Sequence, residues 1–248
     1  MQIYTDGLII REQAIGESDR LVTVLTRDEG LLRAFVRRAK DLKNRGSSAT
    51  QLLCYSRLTI YRGREKYIIG DARPIKVFFE LRSDIERLSL AQYFCELAGK
   101  FAPEGTPSEP FLRLLLNALH FLCEGSRPPL LLKATVEMRL LALAGYMPDL
   151  VACSECACYE AETMYFLPQK GILVCDACKS PQEMPAVALT RGVLQALRHI
   201  IYAEFDKLFS FTLSPEGTAA LANAAEAYLL SCLGHSLPTL DFYKRLTV

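Results

Sequence analysis

The sequence lacks the patterns that most often announce chemistry. Its 248 residues contain no phosphate-gripping G-x4-G-K-[ST], no dinucleotide G-x-G-x2-G and no nucleophile-elbow G-x-S-x-G, and the three histidines, His120, His199 and His235, are scattered. Catalysis is therefore not expected. Long apolar runs are missing as well. Stretches such as Leu114 to Leu119 and Leu130 to Leu132 are broken by Asn117, His120 and Lys133, far short of the ~18 consecutive apolar residues that span a membrane. The first residues, Met1 to Asp6, carry neither a basic start nor an apolar stretch, so no secretory signal and no membrane partner are expected, and the cytoplasm is the expected compartment. Internal repeats, low-complexity tracts and a Gly/Ser-rich linker are also absent.

What remains is ordinary globular material. Half the residues are hydrophobic and 23% are charged, which excludes wholesale disorder, and the length suits one large domain or two modest ones. The 29 Lys/Arg and 28 Asp/Glu nearly cancel, but not uniformly along the chain. Residues 1–80 hold 15 basic and 10 acidic side chains, and the remainder holds 14 and 18. A basic first third suits an anionic ligand; an acidic remainder argues against polyanion contact over the whole surface.

Up to about Val77 the apolar residues come in short β-rich runs: Gly7 to Ile10, Leu21 to Thr26, Leu31 to Val36, Leu58 to Tyr61 and Tyr67 to Ile69. Turn chemistry at Gly16 to Asp19, Asp28 to Gly30 and Arg62 to Glu65 separates them, and Gly7 marks a bulge or bend. Five antiparallel strands in so short a segment would leave exposed edges as a flat sheet, so closure into a small barrel is expected. The five-stranded OB-fold is the commonest such barrel, with an SH3-like barrel as the competing assignment. After Pro74 the period changes to about 3.6. Ser83-Asp84-Ile85-Glu86 reads as a capping box ahead of Leu88, Ala91, Phe94, Leu97, Ala98 and Phe101. Further helices are expected from Ser108 to about Cys123, Leu130 to Ala144, Thr190 to about Ala203, and Ser214 to Leu233, closed by Gly234. Residues 110–123 and 215–233 are apolar on nearly all sides, which predicts central places in a bundle. The fold class is thus α+β: a barrel over residues 1–80, then a helical domain over 81–248 with an inserted four-cysteine zinc site at 150–180.

Four of the nine cysteines form that insertion. Cys153 and Cys156, then Cys175 and Cys178, make C-x2-C…C-x2-C with 18 residues between the pairs, inside the range of a four-cysteine zinc site. Met164 to Leu167, Pro168 to Gly171 and Ile172 to Val174 read as strand, turn and strand, a hairpin that returns the second pair to the first. The segment is poor in large core residues, so one structural Zn2+ is expected to supply its cohesion. Disulfides do not suit a reducing compartment, and a redox C-x2-C needs a thioredoxin-like βαβ setting that is missing. Four thiolates leave no open position for water, so the ion is structural. Cys158 is an alternative ligand to Cys156. Cys54, Cys95, Cys123 and Cys232 fall in apolar patterns and read as small core residues.

The densest cluster of one sign lies at Arg33, Arg37, Arg38, Lys40, Lys43 and Arg45, opposed only by Asp41 and running into Gly46-Ser47-Ser48. A strand end that becomes a cationic, small-residue loop can follow a flexible phosphate backbone, so these six residues are the candidate surface for single-stranded nucleic acid. Tyr55, Tyr61 and Tyr67, with Arg57, Arg62, Arg64 and Lys66, offer stacking faces and further charge, although strand tyrosines also alternate simply to pack.

These parts together resemble a known family. Gly7-Leu8-Ile9-Ile10, the turn Gly16-Glu17-Ser18-Asp19-Arg20 feeding Leu21 to Thr26, then Gly30-Leu31-Leu32, the basic tract, the helical middle and the cysteine insertion are similar to the RecO family of bacterial recombination and repair mediators. The likeness spans essentially the whole chain, and its most specific part is the Gly16 to Arg20 turn. It implies an OB-fold that binds single- and double-stranded DNA, a helical domain with a zinc site, and annealing of complementary strands. It also implies assembly with RecR to load RecA onto DNA coated by the single-strand-binding protein SSB, whose acidic C-terminal tail is a partner, in a nucleoid-associated setting. Two other readings stay open: a zinc-stabilised protein-interaction scaffold without direct DNA binding, and a zinc-dependent hydrolase, which would need an open metal position.

Overall fold

The computed structural model of the chain describes residues 1–39, 46–63, 66–180 and 185–247. They form two compact units, Met1–Glu124 with the residues from Phe242 onward, and Gly125–Asp241.

In the first unit, β1 (Gln2–Ile15), β2 (Asp19–Thr26), β3 (Leu31–Val36), β4 (Cys54–Arg62) and β5 (Tyr67–Val77) close into a barrel in the order β1-β2-β3-β5-β4. The short helix α1 (Gly46–Ala49) lies in the connection from β3 to β4. β3 and β5 pair in parallel through Ala34 with Tyr67 and Phe35 with Ile68, whereas the other four pairs are antiparallel. That Greek-key closure is the OB topology; an SH3-like meander has no parallel pair to offer. Alternate positions turn Ile3, Ile9, Val22, Val24, Leu58 and Ile60 into one buried cluster, so the period-two pattern and the core are the same fact.

Two sequence expectations change here. β1 is far longer than Gly7 to Ile10 because its first half pairs with β4 and its second with β2, and the projecting residues from Arg11 to Ile15 are exposed, with no apolar face to betray a strand. Gly7 is not the bulge, which falls between Ile9 and Arg11. A Cβ on Gly7 would lie 2.6 Å from Val24 Cγ1, so the glycine serves close approach across the barrel.

A 3-10 turn (Phe79–Ser83) leads into α2 (Ile85–Phe101) and α3 (Glu109–Glu124). Asp84, not Ser83, caps α2, accepting from Glu86 N and Arg87 N at 3.0 and 3.1 Å, while the Ser83 hydroxyl donates to Glu80 O. Ser108 does not cap α3 with its side chain either. Its hydroxyl is buried and donates to Thr26 O at 2.7 Å, tying the helix start to the end of β2. The β2–β3 turn docks on the same loop: Leu31 N donates to Pro103 O at 2.8 Å and Gly105 N to Glu29 O at 3.0 Å. Gly30, at φ +68°, has no room for a side chain, since a Cβ would sit 2.2 Å from Pro103 O. Architecture therefore changes near residue 78, but compactness changes only after Glu124.

The second unit contains α4 (Pro129–Leu143), a sheet of β6 (Asp149–Cys153), β7 (Met164–Leu167), β8 (Ile172–Cys175) and β9 (Val187–Leu189) in the order β6-β8-β7-β9, then α5 (Arg191–Tyr202), α6 (Pro215–Leu233) and the start of α7 (Pro238–Leu246). The central helix is α4, buried without a break from Leu131 to Met138; α3 and α6 each bury one face instead. Lys133 and Glu137 disguise α4 in the sequence because they look like a solvated face. They are enclosed, and Lys133 Nζ lies 2.8 Å from both Glu137 Oε1 and Glu226 Oε2. The sheet also has more core than its composition suggests. Phe166, Leu173 and Val174 are fully buried, and the Phe166 ring meets Tyr228 of α6 edge-on at 5.4 Å. Gly171 closes the β7–β8 hairpin at φ +66°, with Tyr228 close against the place a Cβ would take.

Candidate functional site

Two sets of residues carry the chemistry. The first lies on the barrel. β3 alternates Leu32, Ala34 and Val36 inward with Arg33 and Phe35 outward, and Leu21 is the partner of Phe35 across β2. The parallel pairing sets Tyr67 opposite Ala34, partly packed on the barrel core, and Leu21, Arg33, Phe35, Lys66 and Tyr67 line a groove of roughly 690 Å³. Lys66 Nζ stands 5.6 Å from the centre of the Phe35 ring, and the Arg62 guanidinium 5.8 Å from that of Tyr67. Apolar faces flanked by cations, across β2, β3 and the β4–β5 loop, are the means by which OB barrels hold unpaired nucleotides. Arg37 follows at the strand end in a neighbouring groove of roughly 390 Å³ with Tyr61, and Arg38 comes next with its side chain exposed.

Of the six sequence candidates, Arg33 on β3 and Arg37 and Arg38 in the turn that follows it thus share one strand end. Lys40, Lys43 and Arg45 lie outside the described residues, as does Arg64. The ends of that segment are nevertheless tied. Arg38 N donates to Asp19 Oδ1 at 2.9 Å, Arg20 Nη1 donates to Ser47 O and Thr50 O at 3.4 and 3.2 Å, and the Ser47 hydroxyl donates to Ala39 O. The Gly16 to Arg20 turn therefore pins both sides of the basic segment, a role its sequence does not announce.

Other candidates belong elsewhere. Arg57 is held 3.1 Å from Asp6 and Arg73 3.3 Å from Asp71, a face of paired charges across β1, β4 and β5. Tyr61 lies over Gly70, where a Cβ would fall 2.2 Å from its ring, so the ring covers the strand. Tyr55 stands beside Arg27 and raises that guanidinium's pKa. Phe35 was missed; its signal is the two-residue spacing from Arg33 on a strand whose other positions are apolar.

The second set is the cysteine cluster. The parallel neighbours β6 and β8 end at Cys153 and Cys175, and a tight turn after each supplies Cys156 and Cys178. β6 and β9 were not anticipated, and it is the β6–β8 pairing, more than the hairpin, that sets the two C-x2-C turns side by side. All four Sγ atoms lie within 4.8 Å of one another. Cys156 Sγ and Cys175 Sγ are 3.7 Å apart, matching the edge of about 3.8 Å in a tetrahedron with metal–sulfur bonds of about 2.3 Å. Cys175 N donates to Cys153 Sγ at 3.3 Å. Cys158 turns away and donates to Glu160 O at 2.9 Å, so its sulfur is outside the cluster.

The electrostatics of the four sulfurs suit a metal site. Burial pushes the Cys153 thiol up, but the N–H groups of Cys156, Cys175 and Glu155 outweigh it and bring it down to about 6. Sharing protons with Cys175 and Cys156 pushes Cys178 up to about 12. Four mutually repelling sulfurs do not all ionise at neutral pH unless a multivalent cation sits among them. The donor set of four soft thiolates can hold such an ion in closed, four-coordinate geometry. The other cysteines differ: burial pushes Cys95 up to about 12 and raises Cys54, Cys123 and Cys232, which leaves them protonated and inert.

No helix among the described residues is long and apolar enough to cross a membrane. Residues 1–78 match the family model for the N terminus of recombination protein O, and residues 82–241 match that for its C terminus. The DNA repair protein RecO of Acetivibrio thermocellus is 31% identical over 98% of this chain and 97% of its own length. That of Symbiobacterium thermophilum is 31% identical over 98% and 97%, and that of Desulforudis audaxviator 33% over 95% and 92%. With the two family models matching both halves of the chain and relatives 31–33% identical over nearly their whole length, the chain belongs to the RecO family.

Proposed function

We propose that this chain is a non-enzymatic mediator of DNA repair and homologous recombination. In this reading it binds single- and double-stranded DNA, anneals complementary strands and, with RecR, helps RecA onto single strands covered by SSB. The observation that carries the reading is the groove on the OB barrel, where Arg33, Phe35, Lys66 and Tyr67 meet beside Arg37. Annealing needs no catalytic group. Two complementary strands repel through their phosphates, and a cationic surface that neutralises both lets base pairing, already favourable, nucleate faster. Arg33, Arg37, Arg38, Lys40, Lys43 and Arg45 are the side chains assigned to that surface, and residues 1–80 to the DNA-binding domain. The helical domain, 81–248, is assigned the acidic tail of SSB and other protein partners, in a cytoplasmic, nucleoid-associated setting.

The ion assigned to Cys153, Cys156, Cys175 and Cys178 is one structural Zn2+, favoured by four thiolates with no carboxylate among the ligands. When bound it staples the two turns and performs no chemistry. Titration of labelled single-stranded DNA across a salt series, with and without SSB, tests the function. Binding that weakens with salt and survives SSB is expected; no retention at low salt, with a protein partner still captured, would replace this reading by a scaffold.

A further inference from the structure

Arg198 sits in the middle of α5 with only 6% of its surface exposed. Its Nε donates to Leu150 O at 2.7 Å, and its Nη2 to Val151 O and Tyr159 O at 2.8 and 2.9 Å. The guanidinium also stacks on the Tyr159 ring, 4.1 Å from its centre. Those carbonyls bracket the first cysteine turn: Leu150 and Val151 lead into Cys153, and Tyr159 follows Cys156 and Cys158. One turn and two turns earlier on the same helix face, Gln195 and Arg191 hold the Glu160 carboxylate at 3.0 Å each. The whole face of α5 therefore grips the entry and exit of a single C-x2-C turn.

Charge makes the arrangement unusual. Among the described residues no carboxylate forms an ion pair with Arg198, and its buried Nη1 has no hydrogen-bond partner. A buried cation satisfied only by carbonyls is unfavourable unless a negative charge lies near. A divalent ion in four thiolates carries a net charge of −2 by the arithmetic of its ligands. We propose that Arg198 is the positioning residue and counter-cation of the four-cysteine metal site, fixing the Cys153–Cys156 half before the ion binds and offsetting its excess negative charge afterwards.

The proposal rests on the metal reading above, and the test separates the two. Full-length wild type, Arg198→Met, Arg198→Lys and Arg139→Met are loaded with Zn2+ or Co2+, and metal affinity is measured by chelator competition and by the sulfur-to-cobalt charge-transfer absorption. Arg139 is the control, since it donates to the Ile200 and Ile201 carbonyls in the same unit and is remote in sequence from every cysteine turn. Loss of an outer partner weakens metal binding about 10- to 100-fold. Arg198→Met is expected to fall in that range with an altered cobalt spectrum. Arg198→Lys, which keeps the charge and loses the fork, should lie between it and wild type, and Arg139→Met should match wild type in affinity even where its melting temperature falls. The proposal is overturned if Arg198→Met, or Arg198→Lys should the Met variant not fold, binds metal as wild type does. It is equally overturned if Arg139→Met loses as much. Wild type that takes up no metal would instead remove the metal site itself.

Discussion

Replacing Arg33, Arg37 and Arg38 together by Gln should change the salt dependence of DNA binding by a calculable amount. Each phosphate contact on a single strand contributes about 0.7 to the slope of log K against log salt, so losing three contacts flattens it by about 2. At about 0.1 M salt each contact is worth roughly fivefold, and the triple variant should bind roughly 100-fold more weakly. At about 0.5 M the same arithmetic leaves only about a fourfold difference. The two lines therefore converge as salt rises. Glutamine keeps the aliphatic stems and hydrogen-bonding capacity, so what is removed is charge. The matched control is Arg57→Gln with Arg73→Gln, whose guanidinia already face Asp6 and Asp71 and should leave the slope within about half a unit. Fluorescence anisotropy with a short labelled oligonucleotide across the salt series reads both quantities. Parallel lines for wild type and the triple variant, or an equal loss from the Arg57/Arg73 pair, would refute the assignment of the phosphate-binding surface to the end of β3.

The groove predicts a different signature at Phe35. Phe35→Ala should cost about 1–3 kcal/mol of single-strand affinity through lost stacking while leaving the salt slope and duplex binding unchanged, read in the same titration. Gly30→Ala should destabilise the first unit by about 3 kcal/mol, from a side chain forced into positive φ against Pro103 O and from weakening of the Leu31–Pro103 and Gly105–Glu29 hydrogen bonds; a urea melt measures it. In the second unit, Lys133→Met removes the ammonium that lies 2.8 Å from both Glu137 and Glu226 and should cost about 3–5 kcal/mol. Burial pulls the Lys133 ammonium pKa down, but Glu137 and Glu226 outweigh it and the net direction is up. A raised lysine pKa means stability that is fully present below ~10.4 and is lost as pH rises through the folded value, so the wild type should keep this contribution through neutral pH and shed it only in alkali.

How much of this was legible in the sequence follows from what each signal depends on. The barrel strands were readable where one face is buried, as in Leu21 to Thr26, and unreadable from Arg11 to Ile15, where both faces meet solvent and alternation has no meaning. The cysteine cluster was readable because a C-x2-C turn is local chemistry at fixed spacing, whereas β6 and β9 acquire strand geometry only by pairing with β8 and β7. α4 was readable as a helix, expected from Leu130 to Ala144 and found at Pro129–Leu143, but its central place was not, because a buried ion triad imitates a wet surface. Ser83 and Ser108 defeated the pattern for another reason: each has the composition of a helix cap, but its hydroxyl finds a carbonyl acceptor first. Phe35 was hidden as core because its neighbours in sequence are core, although its parity on β3 is that of Arg33.

The same tertiary dependence shapes the face proposed to bind nucleic acid. Its cations come from β3 and the β4–β5 loop, the base of its basic segment is tied down by Asp19 and Arg20 at the start of β2, and its far wall includes Glu104 and Gly105 from the loop between α2 and α3. That loop is held to the barrel through Gly30, Leu31 and Ser108, so the wall cannot move without unmaking bonds to β2 and β3. Glu104 is exposed and acidic, and a carboxylate at one rim of a cationic groove repels phosphate from that rim. In the proposed reading, a strand entering the groove is therefore steered toward Arg33, Arg37 and Lys66, with its bases turned to Phe35 and Tyr67.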